Sequence, residues 1–365
     1  MHVCKKIFIG ATGQHCGKTT ISLSLMHLAR QKYERVGFMK PLGPKWIVFN
    51  GTIVDKDAAM FSTVFGVEAD VKLMSPVTLV PGTTRRFLDG EIDAAAPIKA
   101  IQVACAELEK KYDYLIIEGA GHGGVGSVVG MNNARIAAEL NAPVLLVTGG
   151  GIGNVIDAVE LNLALYQREG ADVRIIMANK LVTEKRANTL EYLQKAFAGS
   201  GMMVTSAFDY LPTLADPTLH HVSELLGLPL HGDTAEQSRL CHTIQLGAAS
   251  SQIVIDHLEE STLLIVTSSR DELLVTASAL HHISEYKARL AGLIIAGHVP
   301  VSNITQRILD DSKIPYIRIK ETSSEIFYRL REHVSKIGPE DLEKINLINS
   351  IAERYIDFAA IDARI

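Results

Sequence analysis

Gly10-Ala-Thr-Gly-Gln-His-Cys-Gly-Lys-Thr-Thr20 is the stretch whose reading decides the fold. An apolar run, Lys6-Ile-Phe-Ile-Gly10, enters it, and a helical pattern, Ile21-Ser-Leu-Ser-Leu-Met-His-Leu-Ala29, leaves it. Strand, glycine-bearing loop and helix in that order are the context a phosphate-binding loop requires. The backbone N–H groups of Gly13, Gln14, His15, Cys16 and Gly17 can then turn toward phosphate oxygens. The helix that opens at Lys18, Thr19 and Thr20 adds the partial positive charge of its N-terminus. Gly17 permits close backbone approach, Lys18 reaches for the β- and γ-phosphates, and the Thr19 hydroxyl belongs on Mg²⁺. The spacing departs from the usual pattern at Thr12, which stands where the first glycine is expected, with Gly10 and Gly13 on either side. A glycine-rich turn with an incidental lysine is the competing reading. The strand before the loop and the helix after it weigh against that.

Composition bounds the rest. A length of 365 residues (39.7 kDa) suggests about two domains, and 47% hydrophobic with 21% charged residues describes a globular chain. A formal charge of −5 gives no reason to expect nucleic acid or an anionic membrane as main partner. No apolar run approaches the ~20 residues that span a bilayer. The first strand pattern starts almost at Met1 and passes straight into the loop, unlike a signal peptide. The four cysteines, Cys4, Cys16, Cys105 and Cys241, have no short paired spacing, which argues against a disulfide framework and a zinc site. A reducing cytoplasm is the expected location.

Strand and helix patterns alternate through residues 1–228. Arg35–Met39 reads as a strand ending in Lys40-Pro41, and Asp57–Phe65 as a short helix. An amphipathic helix over 98–111 leads to a buried strand over 112–118, which ends at Glu118 and is followed by Gly119-Ala-Gly-His-Gly-Gly-Val-Gly126. Helix 133–140, strand 143–147, helix 154–168, strand 173–177 and helix 184–197 follow. Short, wholly apolar strands joined by helices predict an α/β fold, a mostly parallel sheet covered by helices on both faces. Ligands of such sheets sit at the C-terminal ends of the strands, where Lys18, Lys40 and Glu118 all fall. The turn-forming segment Tyr210–Gly232 marks the domain boundary. A second, smaller α/β domain is read over 229–340, beginning with a helix-like stretch over 236–250. Strands 262–266, 291–296 and 315–319 alternate there with helices 271–286 and 302–312. The stretch 341–365 has an apolar stripe at helical spacing, which either docks on its own domain or pairs with another chain.

Gly17-Lys-Thr-Thr20, Phe38-Met-Lys-Pro41, Asp57-Ala-Ala and Ile117-Glu-Gly-Ala-Gly121 occur in one order. In these motifs the first 228 residues resemble the dethiobiotin synthetase-like P-loop family, which includes the cobyrinic acid a,c-diamide synthases. The likeness is greatest to the N-terminal domain of long phosphotransacetylases. The part that follows is similar to the DRTGG domain found there, although Gly-Asp-Arg is reduced to Ser268-Ser-Arg270 and only Gly297 remains of a glycine pair. No acyltransferase domain follows, so a stand-alone two-domain form is expected. The resemblance implies an ATP- and Mg²⁺-dependent P-loop protein, with Thr19, Asp57 and Glu118 on the metal and Asp55 as an alternative to Asp57. It implies Lys40 near substrate or γ-phosphate, Asn179 against the purine, and a homodimer. Dethiobiotin synthetases carry a serine or threonine and then a glycine where this chain has Pro44 and Lys45, which speaks against diaminononanoate carboxylation.

Each of these residues has a plainer reading. Glu118 could be a solvated carboxylate at a strand end, Asp57 an ordinary acid in a first helical turn, and Lys40 a surface lysine lying along apolar chain. His15 and Cys16 contribute backbone N–H groups more than side chains, and His122 either touches substrate or serves a turn. Thr148-Gly-Gly-Gly-Ile-Gly153 imitates a dinucleotide fingerprint but follows a late strand, so it reads as a second loop at the rim and not as an NAD site. The pairs His220-His221 and His281-His282 are adjacent and cannot share a helix face. Two functions are therefore expected in competition. The first is activation of a small carboxylate or carbamate by phosphoryl transfer from ATP. The second is a nucleotide-dependent regulatory module without biosynthetic chemistry.

Overall fold

Ile7, Phe8, Ile9, Leu115, Ile116, Ile117, Leu145, Leu146, Ile175 and Ile176 are all fully buried. Strands with no solvated face belong at the centre of a parallel sheet sandwiched between helices. That is the arrangement in the computed structural model, which describes residues 3–93, 95–332 and 337–365.

The chain divides into two compact units. One comprises Met1–Leu211 with Leu342–Ile365, and the other Pro212–Asp341. The first unit begins with β1 (Lys5–Ala11), α1 (Lys18–Arg30), β2 (Val36–Met39) and the two-residue β3 (Leu42–Gly43). A hairpin of β4 (Trp46–Phe49) and β5 (Thr52–Asp55) follows, then α2 (Lys56–Phe65), α3 (Val71–Met74), β6 (Val77–Thr78) and α4 (Thr83–Leu88). The alternation continues with α5 (Ala96–Lys111), β7 (Tyr114–Glu118), α6 (Asn133–Glu139), β8 (Val144–Gly149) and α7 (Ile152–Arg168). It ends with β9 (Val173–Asn179), α8 (Arg186–Ala196) and β10 (Met203–Ser206). Six strands form one parallel sheet in the order β10-β9-β8-β1-β7-β2. On one side of β1 the strands run outward through β8, β9 and β10, and on the other β7 lies between β1 and the earlier β2. The chain leaves β1 for β2 on one side and leaves β7 for β8 on the other, so the crevice at the carboxyl ends of β1 and β7 is the topological switch point, where such sheets bind ligands.

The second unit has α9 (Leu219–Leu226), β11 (Thr243–Leu246), α10 (Ser251–Asp256), β12 (Thr262–Thr267), α11 (Asp271–Leu280) and α12 (Ser284–Arg289). It continues through β13 (Leu290–Ala296), α13 (Asn303–Ser312), β14 (Tyr316–Arg318) and α14 (Ser323–Glu332). Its four strands are parallel in the order β11-β12-β13-β14. The unit starts earlier than residue 229 because α9 buries Leu219 and Val222 in one cluster with Ile294, Ile317 and Ile326. The helix expected over 236–250 is not formed; Thr243–Leu246 is a strand. Thr243-Ile-Gln-Leu246 pairs with β12 from Thr243↔Thr262 onward, and this pairing overrides local helical spacing.

The C-terminal stretch returns to the first unit as α15 (Leu342–Tyr355) and α16 (Phe358–Asp362). Asp362, 3% exposed, accepts from Lys5 Nζ (3.0 Å), Tyr33 OH (2.8 Å) and Lys32 Nζ (2.5 Å). Burial works against ionisation, but hydrogen bonds from Lys32, Tyr33 and Lys5 outweigh it and hold the carboxyl below its ordinary pKa. Both lysines are partly solvated, so Asp362→Asn is expected to cost roughly 1–2 kcal/mol in denaturant unfolding. A depressed folded-state pKa stabilises at neutral pH, and that stabilisation is lost as the pH falls through it. The gap between wild type and variant should therefore close in acid, below about pH 4. Among the described residues, no helix is long and apolar enough to cross a membrane.

Candidate functional site

The loop between β1 and α1 is shaped by two left-handed residues, His15 (φ 58°) and Gly17 (φ 94°). Gly17 is the residue before α1, and no side chain caps the helix there. The first-turn amides of a helix have no partner within it, so an uncapped end of this kind can receive an anion. Gln14 and His15 are exposed, while Cys16 is half-buried. A Cβ at Gly17 would lie 2.4 Å from Asn179 Nδ2, which itself donates to the Cys16 carbonyl (2.9 Å). At Thr12, the position of the missing glycine, the N–H donates to the Val147 carbonyl and the hydroxyl to Thr148 Oγ1 (3.1 Å). Threonine thus ties the loop's entry to β8. Thr148, read as part of a rim loop, is buried in that contact.

Sheet register brings the charged residues together. Ile9 pairs with Glu118, and Met39 with Ile117, so Lys40 emerges beside Glu118. Lys40 Nζ donates to Asp57 Oδ2 (2.8 Å) and Glu118 Oε1 (2.7 Å), with the Gly119 carbonyl at 3.4 Å. Thr19 Oγ1 donates to the same Glu118 Oε1 (3.2 Å). Lys40, Asp57 and Glu118 are 3%, 5% and 1% exposed. Glu118 and Lys40 are not the solvated side chains of their plainer readings, and Asp57 does lie in the first turn of α2, buried against Lys40. Burial by itself would depress the Lys40 ammonium, but the charges of Asp57, Glu118 and Asp55 hold its pKa above the ordinary value. Lys18 Nζ donates to the Gly121 carbonyl (2.5 Å), which links the loop to the segment after β7.

Asp55 and Asp57 have different surroundings. Asp55 caps α2, accepting from the N–H of Asp57 (2.9 Å) and of Lys45 (3.2 Å). Burial, then the neighbouring Asp57 charge, pushes its carboxyl up to about 6. Asp57 is the one of the two that touches Lys40. Pro44 and Lys45 are exposed at the foot of the β4–β5 hairpin.

Three buried asparagines brace the loops around this cluster. Asn133 accepts from the Ala120 N–H and donates to the Ala120 and His122 carbonyls (2.6 Å each). Asn162 accepts from the Gly123 N–H and donates to the Thr12 and Ala158 carbonyls. Asn179, besides holding Cys16, accepts from the Phe208 N–H (3.2 Å). The position implied for a purine contact thus engages both ends of its amide within the chain. His122 Nδ1 accepts from the Gly124 N–H (3.2 Å), closing a turn. Asn133 and Asn162 escaped the sequence reading, yet Asn162 left a mark. It interrupts the apolar stripe Val155, Val159, Tyr166 of α7.

In the second unit Arg270, from the Ser268-Ser-Arg270 stretch, and Arg318, which the sequence did not single out, brace loops. Arg270 donates to the Gly247 (2.7 Å) and Ala249 (2.6 Å) carbonyls, and Arg318 to those of Gly297 (2.6 Å) and Val299 (2.8 Å). His220 and His221 do not act together. His221 lies with Glu340 (3.6 Å) and Asp341 (3.7 Å), and its Nδ1 meets Thr218 Oγ1 at 3.0 Å.

The cluster beside the loop fits Mg²⁺. Thr19, Asp57 and Glu118 offer hard oxygen donors about a single ammonium, and buried Glu118 Oε2 has no hydrogen-bond partner. A carboxylate oxygen buried without a donor is costly unless something positive approaches it.

Comparison with known proteins bears on the same residues. The AAA_26 family model, an AAA domain, matches residues 5–218, and the DRTGG domain model matches residues 222–332. A phosphate acetyltransferase of Nitratidesulfovibrio vulgaris is 24% identical over 98% of this chain and 51% of its own length. The chain therefore spans about half the length of that relative. An ATP-dependent dethiobiotin synthetase BioD of Idiomarina loihiensis is 27% identical over 46% of this chain and 75% of its own. Among solved structures, the MinC:MinD cell division protein complex of Aquifex aeolicus is 14% identical, covering 58% of this chain and 84% of its own at a TM-score of 0.36. The chain belongs to the AAA_26 family of P-loop domains, here followed by a DRTGG domain.

Proposed function

We propose that the first unit binds ATP with Mg²⁺ and transfers the γ-phosphoryl group to a carboxylate or carbamate oxygen of a small substrate. The observation that carries this reading is the meeting of Lys40, Asp57, Glu118 and Thr19 next to an uncapped helix N-terminus. The amides of residues 13–20 and the Lys18 ammonium hold the triphosphate. Thr19, Asp57 and Glu118 are the oxygen ligands offered to Mg²⁺, which supplies charge neutralisation on the phosphate oxygens. The substrate oxygen bonds to the γ-phosphorus as the bond to the β–γ bridging oxygen breaks, and ADP leaves with that electron pair. Lys40 neutralises the acyl or carbamoyl phosphate formed. Such transfer needs positioning and fixed positive charge more than a covalent partner.

The test is ADP release from ATP and Mg²⁺ with and without a panel of small mono- and dicarboxylates, with bicarbonate and amines for the carbamate case. Stimulation of tenfold or more by one of them is expected. Nucleotide binding with no stimulation by any would turn the reading toward a regulatory module. Two observations favour that second reading. The alignment with a phosphate acetyltransferase runs through both units, whereas the synthetase match covers less than half the chain. Pro44 and Lys45 also stand exposed where the synthetase pattern differs. A homodimer whose association changes with nucleotide, read by sedimentation, would support it.

A further inference from the structure

We propose that the Lys40 ammonium is an internal counter-ion standing in the place of the divalent cation, and that the two exchange. Without nucleotide Lys40 shuts the metal out; phosphates arriving at the loop draw Lys40 away and open the site. This rests on the ATP and Mg²⁺ reading above.

Lys40 Nζ makes its two short contacts with Asp57 and Glu118, the carboxylates assigned to the metal. Thr19, the third ligand, spends its hydroxyl on the same Glu118 Oε1 that Lys40 holds. Lys40 is thus the buried ammonium set between the two carboxylates, and it offsets part of their charge. A divalent ion entering alongside Lys40 would put two cations within a few ångströms of each other in a site screened from water, where like charges repel strongly. Metal alone therefore binds poorly. The loop offers the remedy, because a triphosphate there places several negative charges between α1 and the end of β2. Lys40 then has a further anionic partner besides Asp57 and Glu118, and Glu118 and Thr19 are released together. Glu118 Oε2, which accepts no hydrogen bond, is the carboxylate oxygen with capacity to spare for an ion. A plain structural ion pair would have the same distances but would not couple metal to nucleotide.

The experiment is titration with Mn²⁺, a spectroscopic substitute for Mg²⁺, in the absence of nucleotide. Bound ion is read by electron paramagnetic resonance and stability by the thermal midpoint. Wild type and Lys40→Arg, which keeps the charge, are expected to bind weakly and to show no midpoint response. Lys40→Met and Lys40→Gln should bind at least tenfold more tightly, with midpoints depressed in chelator and restored by Mn²⁺. The glutamine variant retains a hydrogen-bond donor between the two carboxylates, so folding does not hinge on the methionine variant. Equal Mn²⁺ affinity in wild type and both neutral variants overturns the exchange. So does a variant that stays unfolded at every Mn²⁺ concentration, because the metal should replace the missing charge. ATP binding to wild type is measured alongside. If ATP fails to bind while the neutral variants still gain Mn²⁺, the nucleotide reading falls and the counter-ion role stands. If ATP binds and the variants gain nothing, the exchange alone falls.

Discussion

ATP with Mg²⁺ is expected to raise the thermal midpoint of the wild-type chain by several degrees and to leave that of Lys18→Ala unmoved. A ligand that binds only the folded state adds about 2.7 kcal/mol at a concentration 100-fold above its dissociation constant. For a domain of roughly 200 residues that is on the order of 5–10 °C. Lys18 is the one side chain of the loop whose charge the phosphate reading requires, and its ammonium sits at the loop on the Gly121 carbonyl. Its removal also loosens that tether, so the variant should start about 1 kcal/mol less stable before any nucleotide is added. The two effects separate cleanly, because the tether changes the unliganded midpoint and the phosphate contact changes only the response. An unaltered response in Lys18→Ala would mean that the left-handed turn at His15 and Gly17 is a structural corner and not a cradle.

Much of the fold was legible because its strands are buried on both faces. Ile7–Ile9, Leu115–Ile117 and Leu145–Val147 are apolar runs too short for helices, each followed by a turn and then helical spacing. What escaped has little apolar burial of its own. The edge strand β10 is four residues long and mostly half-buried. The β4–β5 hairpin carried a readable signal, since Asn50 (φ 48°) and Gly51 (φ 74°) form the two-residue left-handed turn that joins antiparallel strands. It was obscured because Trp46, Val48 and Ile53 point to solvent, so no buried stripe marks the strands. The strand at Thr243–Leu246 was hidden for another reason. Its partner, β12, lies downstream, and nothing local to the four residues distinguishes a strand from a helical turn.

The site divides in the same way. Lys18, Lys40 and Glu118 were placed from sequence because each ends a strand or opens a helix, and strand ends converge in a parallel sheet whatever the loops do. The choice between Asp55 and Asp57 could not be made that way. Both lie at the start of α2, and only the backbone turn decides that Asp55 accepts the N–H of Asp57 while Asp57 turns to Lys40. Asn133 and Asn162 were invisible as functional residues, because their task is to satisfy the carbonyls and amides of loops distant in sequence. Buried backbone groups must find partners, and the search for them locates such residues only once the loops are folded.

Glu118→Ala should destabilise the first unit by about 3 kcal/mol in the absence of ligands, among the larger effects of a single truncation in this chain. Lys40 is buried with two carboxylates, and removing one leaves its ammonium in a site screened from water with Asp57 as remaining counter-charge. Lys40→Met is destabilising for the mirror reason, since Asp57 and Glu118 then face each other without a cation. Making both changes at once removes the Lys40–Glu118 pair together, although Asp57 still loses the Lys40 ammonium, and the double variant should recover about 2 kcal/mol relative to the sum of the singles. Denaturant unfolding in chelator measures this, before any metal or nucleotide complicates the comparison. A simple sum of the two losses would show that Lys40 and Glu118 do not depend on each other, and both the Mg²⁺ assignment and the counter-ion role would lose their basis. The nucleotide response of Glu118→Gln extends the test to function. Its amide keeps the shape but not the charge, so ATP should still raise the midpoint through the loop, while the additional rise from Mg²⁺ should disappear.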